Sequence, residues 1–582
     1  MKQVFEFFSN TAANLLALFV FFFLVPLAVL VSVVCGVLRS GVLTVSENCD
    51  YSALVLDMSS PVSEFPRSDD AVYNYIKGGA WLSTYSLCAK IDSAAGDDSN
   101  SLIFLTGSFD ADVSYAQIAE IRAALQRYAK SGKTVVAYLE NPSTRDYFLA
   151  SAATTVVLNP FSEVQFAGLG GNAMFFGNAL KKYGVDATVV KVGRLKSFGE
   201  MFTSDKMSAP VRENYAALLE SVWSSVISKV AASRKIAPDK LREIADTRAV
   251  LSADEAKSLG LVDKLMYRDQ VIDMISERVG CDGITFSQTP ISSYPETFAE
   301  NADGAVALVY MRGEILDSPA SDGVIDSASY SVLLRELRFD ETVSAVVLRI
   351  DSGGGSAFAS ESIRREVELL AADKPVVVSV GGSAASGAYW IASAANKIFA
   401  DSESITGSIG VFSILFSAEK LAGDFGITFD GVKTSPMADA GTIARKPIKT
   451  EIDRVQRLTD RVYEKFVSLV AKSRKMKPER VAEIADGRVF SGADAVRVGL
   501  VDGIRPLSEC VEFAAKAAKL KSFEVWEYPQ RNAIAEFVSS FTDGNVPFAK
   551  AFRAVFNARK IGNIMSAKSG VYARSPFDFV VE

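Results

Sequence analysis

Two long stretches of this chain, about 240 residues apart, are copies of one another, and that duplication limits the architecture more than any other feature. Ser233-Arg234-Lys235-Ile236, Pro238, Glu243-Ile244-Ala245-Asp246, Arg248 and Gly260-Leu261-Val262-Asp263 return as Ser473-Arg474-Lys475-Met476, Pro478, Glu483-Ile484-Ala485-Asp486, Arg488 and Gly499-Leu500-Val501-Asp502. Upstream, Lys133-Thr134-Val135-Val136 answers Lys374-Pro375-Val376-Val377, and Tyr147 to Ser151 answers Tyr389 to Ser393. Gly168 to Gly171 answers Gly407 to Gly410. The offset is the length of one large domain, so the body of the chain is a domain present twice.

Each copy alternates short β-branched runs with helical stretches. In the second, Ala305 to Tyr310, Ser344 to Ile350 and Pro375 to Val380 have the composition of buried strands, and Ser360 to Ala371 reads as a crossover helix. This βαβ rhythm predicts an α/β fold, a mostly parallel sheet with its reactive groups at the C-terminal ends of the strands. Each copy then carries a long amphipathic helix. Tyr215, Leu218, Val222, Val226 and Val230 mark the core face of the first; Ile452, Val455, Leu458, Val462, Phe466 and Leu469 mark that of the second. The chain therefore divides into a flank (1–14), an apolar segment (15–38), a first repeat (51–284), a linker with Pro290, Pro295 and several serines (285–303), a second repeat (304–527) and a tail (528–582). The tail has no strong pattern and receives no role.

The apolar segment Leu15 to Leu38 is uncharged and long enough to cross a bilayer, which takes about 20 apolar residues. It exceeds the h-region of a signal peptide, and no A-x-A site follows it. Lys2 before it and Arg39 after it nearly balance, so charge bias does not set the orientation.

Histidine is absent from all 582 residues. That removes Ser-His-Asp and Cys-His catalysis, imidazole metal sites and histidine pH switches, and leaves carboxylate, lysine, tyrosine or thiolate as a general base. The net charge of −7 argues against a nucleic-acid partner. Cys35, Cys49, Cys88, Cys281 and Cys510 have no metal-ligand spacing, and nothing in the sequence pairs them. There is no Walker loop and no imidazole ligand, so neither a nucleotide cofactor nor a metal is expected.

The two copies diverge where chemistry belongs. Gly381 to Ala388 in the second is a small-residue turn between a strand run and a helical segment (Tyr389 to Asn396), which suits an exposed nucleophile at Ser386. The first copy has Thr144 at that position, in Asn141-Pro142-Ser143-Thr144-Arg145. Conversely, Gly193-Arg194-Leu195-Lys196-Ser197 faces a segment near Gly431 to Pro436 that lacks a convincing lysine-serine pair. One composite site per chain follows, with a part from each repeat. Two further turns, Asp351-Ser352-Gly353-Gly354-Gly355-Ser356 and Thr406-Gly407-Ser408-Ile409-Gly410, offer backbone N–H groups and a free hydroxyl.

With S-G-G-G-S, A-A-S-G-x-Y-W, T-G-S-I-G and G-x-x-K-S in hand, the chain resembles the signal peptide peptidases of the protease IV type, the long, duplicated, membrane-anchored form of bacteria. The resemblance runs from the apolar segment to about Asp502. It implies two crotonase/Clp-protease-like domains behind one transmembrane helix, and a serine endopeptidase acting on signal-peptide remnants. By motif, Ser386 resembles the nucleophile, Lys196 the general base, Ser408 the hydroxyl that orients the amine, and Gly355 and Gly387 the oxyanion hole. It further implies a homotetramer against membrane lipid, in the inner membrane with its body on the periplasmic side. Asp351-Ser352-Gly353 stands where the family often has Asn-Ser-Pro, and the glycine predicts a less rigid loop. Phe198 replaces a customary small residue.

The base has a demanding requirement. A free lysine titrates near ~10.4, so Lys196 must be lowered by ~2–3 units to act near neutrality. Val189, Val190, Val192, Leu195 and Phe198 would supply apolar cover. Competing readings are a crotonase-like acyl-CoA enzyme, a catalytically inactive membrane scaffold, and a leader peptidase. The last places its serine before its lysine, the reverse of the order here.

Overall fold

The computed structural model describes residues 50–60, 62–65, 82–109, 113–281, 286–296, 302–318, 323–529 and 572–574. The expected membrane segment lies outside these; among the described residues no helix is long and apolar enough to cross a membrane. The chain forms two compact units, Met1–Ser52 with Ile272–Ser287, and Ala53–Val271 with Gln288–Glu582. In the first, the Tyr51 N–H bonds the Val279 carbonyl (3.1 Å), and Cys281 is disulfide-bonded. The second unit holds the body of both repeats, with Cys88 and Cys510 as buried free thiols.

In the first repeat, β1 (Ser52–Asp57), β2 (Asn100–Thr106), β3 (Thr134–Leu139) and β4 (Thr155–Leu158) lie side by side in the order 4-3-2-1. Lys264–Leu265 and Gln288–Pro290 complete the six strands at the edges. The stretch 285–303, expected as a patternless linker, thus adds a parallel edge strand to β1, with Ile291 and Tyr294 buried behind it. Three residues ending in proline leave no periodicity to read, and an edge tolerates proline. A further strand, β5 (Asp186–Val192), leaves this sheet altogether.

The second repeat builds an eight-stranded sheet around β6 (Ala305–Arg312), β7 (Val343–Ser352) and β9 (Val376–Ala385), all parallel. Between β7 and β9 falls β8 (Gly354–Ser356), and after β9 come β10 (Ile405–Gly407) and β11 (Val411–Ser417). The crossover helix α2 (Ala357–Asp373) follows β8 at the expected place, and α3 (Gly387–Ala392) follows β9. The strand Glu524–Tyr528 closes the far edge beside β6. The tail also contributes β12 (Tyr572–Arg574), the middle of a third, six-stranded sheet ordered Ile325–Asp326, Ile315–Leu316, β8, β12, β11, β5.

Equivalent contacts recur in both copies. Tyr147 Oη donates to the Leu261 carbonyl (2.8 Å) as Tyr389 Oη does to that of Leu500 (2.7 Å). Arg234 pairs with Asp263 (2.7 Å) as Arg474 pairs with Asp502 (2.8 Å). The long helices α1 (Ala209–Arg234) and α4 (Lys449–Arg474) both end on a left-handed lysine, Lys235 and Lys475. All five stripe residues of α1 are buried, whereas in α4 only Phe466 is fully covered and Leu458 is exposed. The N-terminal half of α4 is covered only in part: Thr459 is fully buried against Ser413 of β11, Ile452 and Val455 are half-buried, and Leu458 stays exposed.

Candidate active site

Strand pairing brings the site together. β5 runs antiparallel to β11 with Val192 opposite Val411, so the residues after 192 meet those before 411. β10 runs parallel to β9 with Gly407 opposite Ala385, so Ser408 and Ser386 leave adjacent strands at one level. Lys196, Ser386 and Ser408 converge there. Lys196 Nζ donates to Ser386 Oγ at 2.7 Å, to Ser408 Oγ at 3.0 Å and to the Ser408 carbonyl at 3.0 Å.

Ser386 sits on a sharp corner between β9 and α3 at φ 58°, ψ −116°, a conformation that costs a non-glycine residue about 1–3 kcal/mol. Its N–H bonds the Gly407 carbonyl (2.8 Å) and its carbonyl accepts from Trp390 N (2.9 Å), so the corner is held from both sides. Gly387 begins α3. At the matching place the first copy has an ordinary capped helix, with Ser143 and Asp146 forming a capping box. There Thr144 Oγ1 accepts from the Ala167 N–H (3.2 Å), so the hydroxyl closes a turn rather than facing an amine.

The ends of β7 and β9 are out of regular register between Ile350 and Ser352, opposite Gly381-Gly382. Asp351 Oδ1 fills the irregularity by accepting from Ser383 N (2.9 Å). The loop after β7 is also firmer than its Gly353 predicts. Ser352 Oγ donates to the Gly313 carbonyl (2.6 Å) and accepts from Gly354 N (3.1 Å), replacing ring rigidity with hydrogen bonds. Gly355 lies on β8 opposite Ile315, where a Cβ would stand 2.1 Å from the Ile315 carbonyl oxygen. Helix α3 packs on β8, which sets Gly355 beside the corner that carries Ser386.

Lys196 is wholly buried (0 % exposed), and burial alone holds its amine well below the ordinary lysine range. The cover is partly as expected: Leu195, Val190 and Phe198 are buried, while Val189 and Val192 are half-exposed. Phe198 stacks on Phe412 with ring centroids 5.0 Å apart, sealing one side. Near Gly431 to Pro436, in the second copy, Lys433 is instead a surface side chain paired with Asp439 (2.6 Å).

Two contributors had no place in the motif reading. The turn Asp486-Gly487 takes up the lysine loop: the Asp486 carbonyl accepts from Leu195 N (2.8 Å) and its Oδ1 from Arg194 N (2.6 Å). The first copy's helix runs Pro238–Thr247, but its counterpart stops at Ile484 and turns through Asp486 (φ 52°) and Gly487 (φ 78°). The signal was present as Thr247 against Gly487 in otherwise matching hexapeptides. The other is Arg349, buried behind the site. It donates to both oxygens of Glu64 (2.9 and 3.0 Å) and to Glu120 (2.7 Å), two carboxylates of the first repeat. Burial pushes Glu64 up to about 7 against the opposing pull of Arg349. Among the described residues no cluster of metal-ligating side chains occurs.

A buried serine on a strained strand-to-helix corner, bonded to a neutral-leaning lysine, on a duplicated α/β frame, defines a serine peptidase. The model of peptidase family S49 matches this chain twice, at residues 127–282 and 368–521, and the chain belongs to that family. It is 35% identical over 437 residues to Protease 4 of Salmonella typhi, covering 73% of this chain and 70% of that one. Protease 4 of Haemophilus influenzae is 32% identical over 483 residues, covering 80% and 77%. The chloroplastic serine protease SPPA of Arabidopsis thaliana is 29% identical over 424 residues, covering 70% and 61%.

Proposed function

We propose that this serine peptidase is an endopeptidase working through a Ser386–Lys196 dyad. Neutral Lys196 takes the proton of Ser386 Oγ as that oxygen attacks a peptide carbonyl. The backbone N–H groups of Gly355 and Gly387 stabilise the oxyanion, and Ser408 holds the amine on line. The protonated amine then returns its proton to the leaving nitrogen. Water, activated by the same amine, releases the acyl group and regenerates the serine. The observation that carries this reading is the 2.7 Å contact between the two side chains, made by an amine that burial holds below the ordinary lysine range.

The substrate class is peptide, and we assign cleaved signal peptides, in line with the relative named a putative signal peptide peptidase in Enterococcus faecium. The apolar run 15–38 would anchor the chain in the inner membrane with two Clp-like domains on the periplasmic side, and lipid would be its neighbour. Exposed Phe425, Phe429, Ile443 and Leu458 favour a subunit contact of the kind a homotetramer needs. The test of the chemistry is a fluorophosphonate probe with a fluorogenic peptide assay. Wild type should label at Ser386 and hydrolyse the peptide; Ser386→Ala and Lys196→Ala should do neither. Hydrolysis by either variant would sink the dyad.

A further inference from the structure

We propose that Asn214 is a positioning residue, which from α1 clamps the backbone segment that holds both the lysine loop and the Ser408 turn. The proposal rests on Ser386 and Lys196 being the dyad. Asn214 Nδ2 donates to the Val489 carbonyl (3.1 Å), and the Val489 N–H donates to Asn214 Oδ1 (3.1 Å). One side-chain amide thus pairs with both main-chain groups of a single residue, as a neighbouring strand would. The strand Val489–Ser491 lies at the edge of the eight-stranded sheet, antiparallel to β10, with Val489 opposite Gly407. Asn214 takes the place of the next strand on that edge.

Val489 ends the stretch on which the site is assembled. The Asp486 carbonyl accepts from Leu195 N (2.8 Å), Gly487 N donates to the Ile409 carbonyl (2.9 Å), and the Arg488 carbonyl accepts from Ser408 N (2.6 Å). The first repeat therefore grips residues 486–489 of the second at two points, through the lysine loop at Asp486 and through Asn214 at Val489. The second grip is shut off from water. Asn214 is buried, and Leu195, Val211, Tyr215, Leu218 and Val489 belong to one apolar cluster around it. Removing the amide leaves a buried N–H and carbonyl without partners, and the segment must shift to satisfy them. Farther along α1, Ser221 Oγ meets Ser491 Oγ (2.7 Å) and Lys229 pairs with Glu403 (2.7 Å). Those contacts dock the helix but touch neither the lysine loop nor the Ser408 turn. The clamp is also peculiar to one copy. Aligned on Arg234 and Arg474, α4 carries Arg454 and Arg461 at the places of Asn214 and Ser221, and both are exposed.

The test keeps the full-length chain. Asn214→Leu preserves side-chain volume and removes both hydrogen bonds, and Ser221→Ala on the same helix is the comparison. Asn214→Leu should lower kcat at least about tenfold with KM unchanged. It should also move the ionisation in log(kcat/KM) upward toward the free-lysine value of ~10.4, because a loosened loop admits water to the amine. Ser221→Ala should leave both where they are in wild type. A general loss of stability reduces the amount of active enzyme but does not move that ionisation, so an unmoved profile overturns the proposal whatever happens to kcat. Hydrogen–deuterium exchange in a Ser386→Ala background reads the clamp without turnover. There Asn214→Leu should speed exchange across residues 486–491 at least about tenfold, and Ser221→Ala should not. Unchanged exchange also overturns the proposal. Should Asn214→Leu not fold, Asn214→Ser goes through the same two measurements. Activity in Lys196→Ala would count against the dyad instead, and the exchange result would then decide the clamp by itself.

Discussion

Gly487 presses against the backbone of Lys196: a Cβ at position 487 would stand 2.3 Å from the Lys196 nitrogen and 2.7 Å from its Cα. The turn carrying it has φ 78°, open to glycine and costly to other residues. The second repeat thus gave up the last turn of one helix to make room for a lysine from the first.

Restoring the first copy's residue tests that relationship. Gly487→Thr should push the lysine loop off its seat, and a misplacement near 1 Å costs about 100-fold in kcat. Circular dichroism should show the fold retained, with the loss in turnover rather than in KM. Normal turnover by this variant would mean the close approach has no catalytic consequence.

Arg349 ties the repeats together behind the catalytic corner. Although burial works against its charge, Glu120 and Glu64 hold it protonated, well above the ordinary arginine range. Arg349→Leu leaves two buried carboxylates without their cation, a change of about 3–5 kcal/mol. A large drop in thermal midpoint is expected, much larger than for exposed Arg365→Leu. Equal midpoints would show that the cluster contributes nothing to joining the copies.

Activity should follow the neutral amine. Burial lowers the Lys196 pKa, so log(kcat/KM) should rise with unit slope through one ionisation below 10.5 and then level off. Lys196→Arg keeps a charge that does not titrate and should lose at least about 10³-fold. A rate independent of pH across that range would remove lysine as the base.

Stability should change with pH in a definite sense. The unfolded chain holds the Lys196 proton up to about 10.4, and the folded site releases it at lower pH. Between those values the unfolded state binds more protons, so stability rises with pH. The lysine's contribution is complete above its unfolded pKa and is lost as pH falls through its folded one. Lys196→Met removes the titration at similar volume. It should be more stable than wild type at pH 7, with the gap narrowing toward pH 10 in urea melts. A constant gap would contradict a buried neutral lysine.

Much of this was legible in the residues themselves. The repeated segments around Ser233 and Ser473 and the Val/Ile runs settled the duplicated α/β plan, because burial on both faces of a parallel sheet demands such runs. The missing histidine, the unequal copies at Ser386/Thr144, and Gly193–Ser197 facing a Gly431–Pro436 segment without a matching lysine-serine pair pointed to one site shared between repeats. Short elements escaped notice for a physical reason. Gln288–Pro290 and Tyr572–Arg574 are three residues each, and they become strands only because an unpaired backbone edge is waiting beside them.

The sequence alone determined which side chains were available for the chemistry and in which copy each one lay. It did not determine that a lysine and a serine 190 residues apart would touch. That was decided by β5 leaving its own sheet to pair with β11, by the shortened helix that ends beside Gly487, and by Arg349 binding carboxylates of the other repeat. These are long-range pairings, and their free energy depends on what lies opposite in space rather than on any local pattern along the chain.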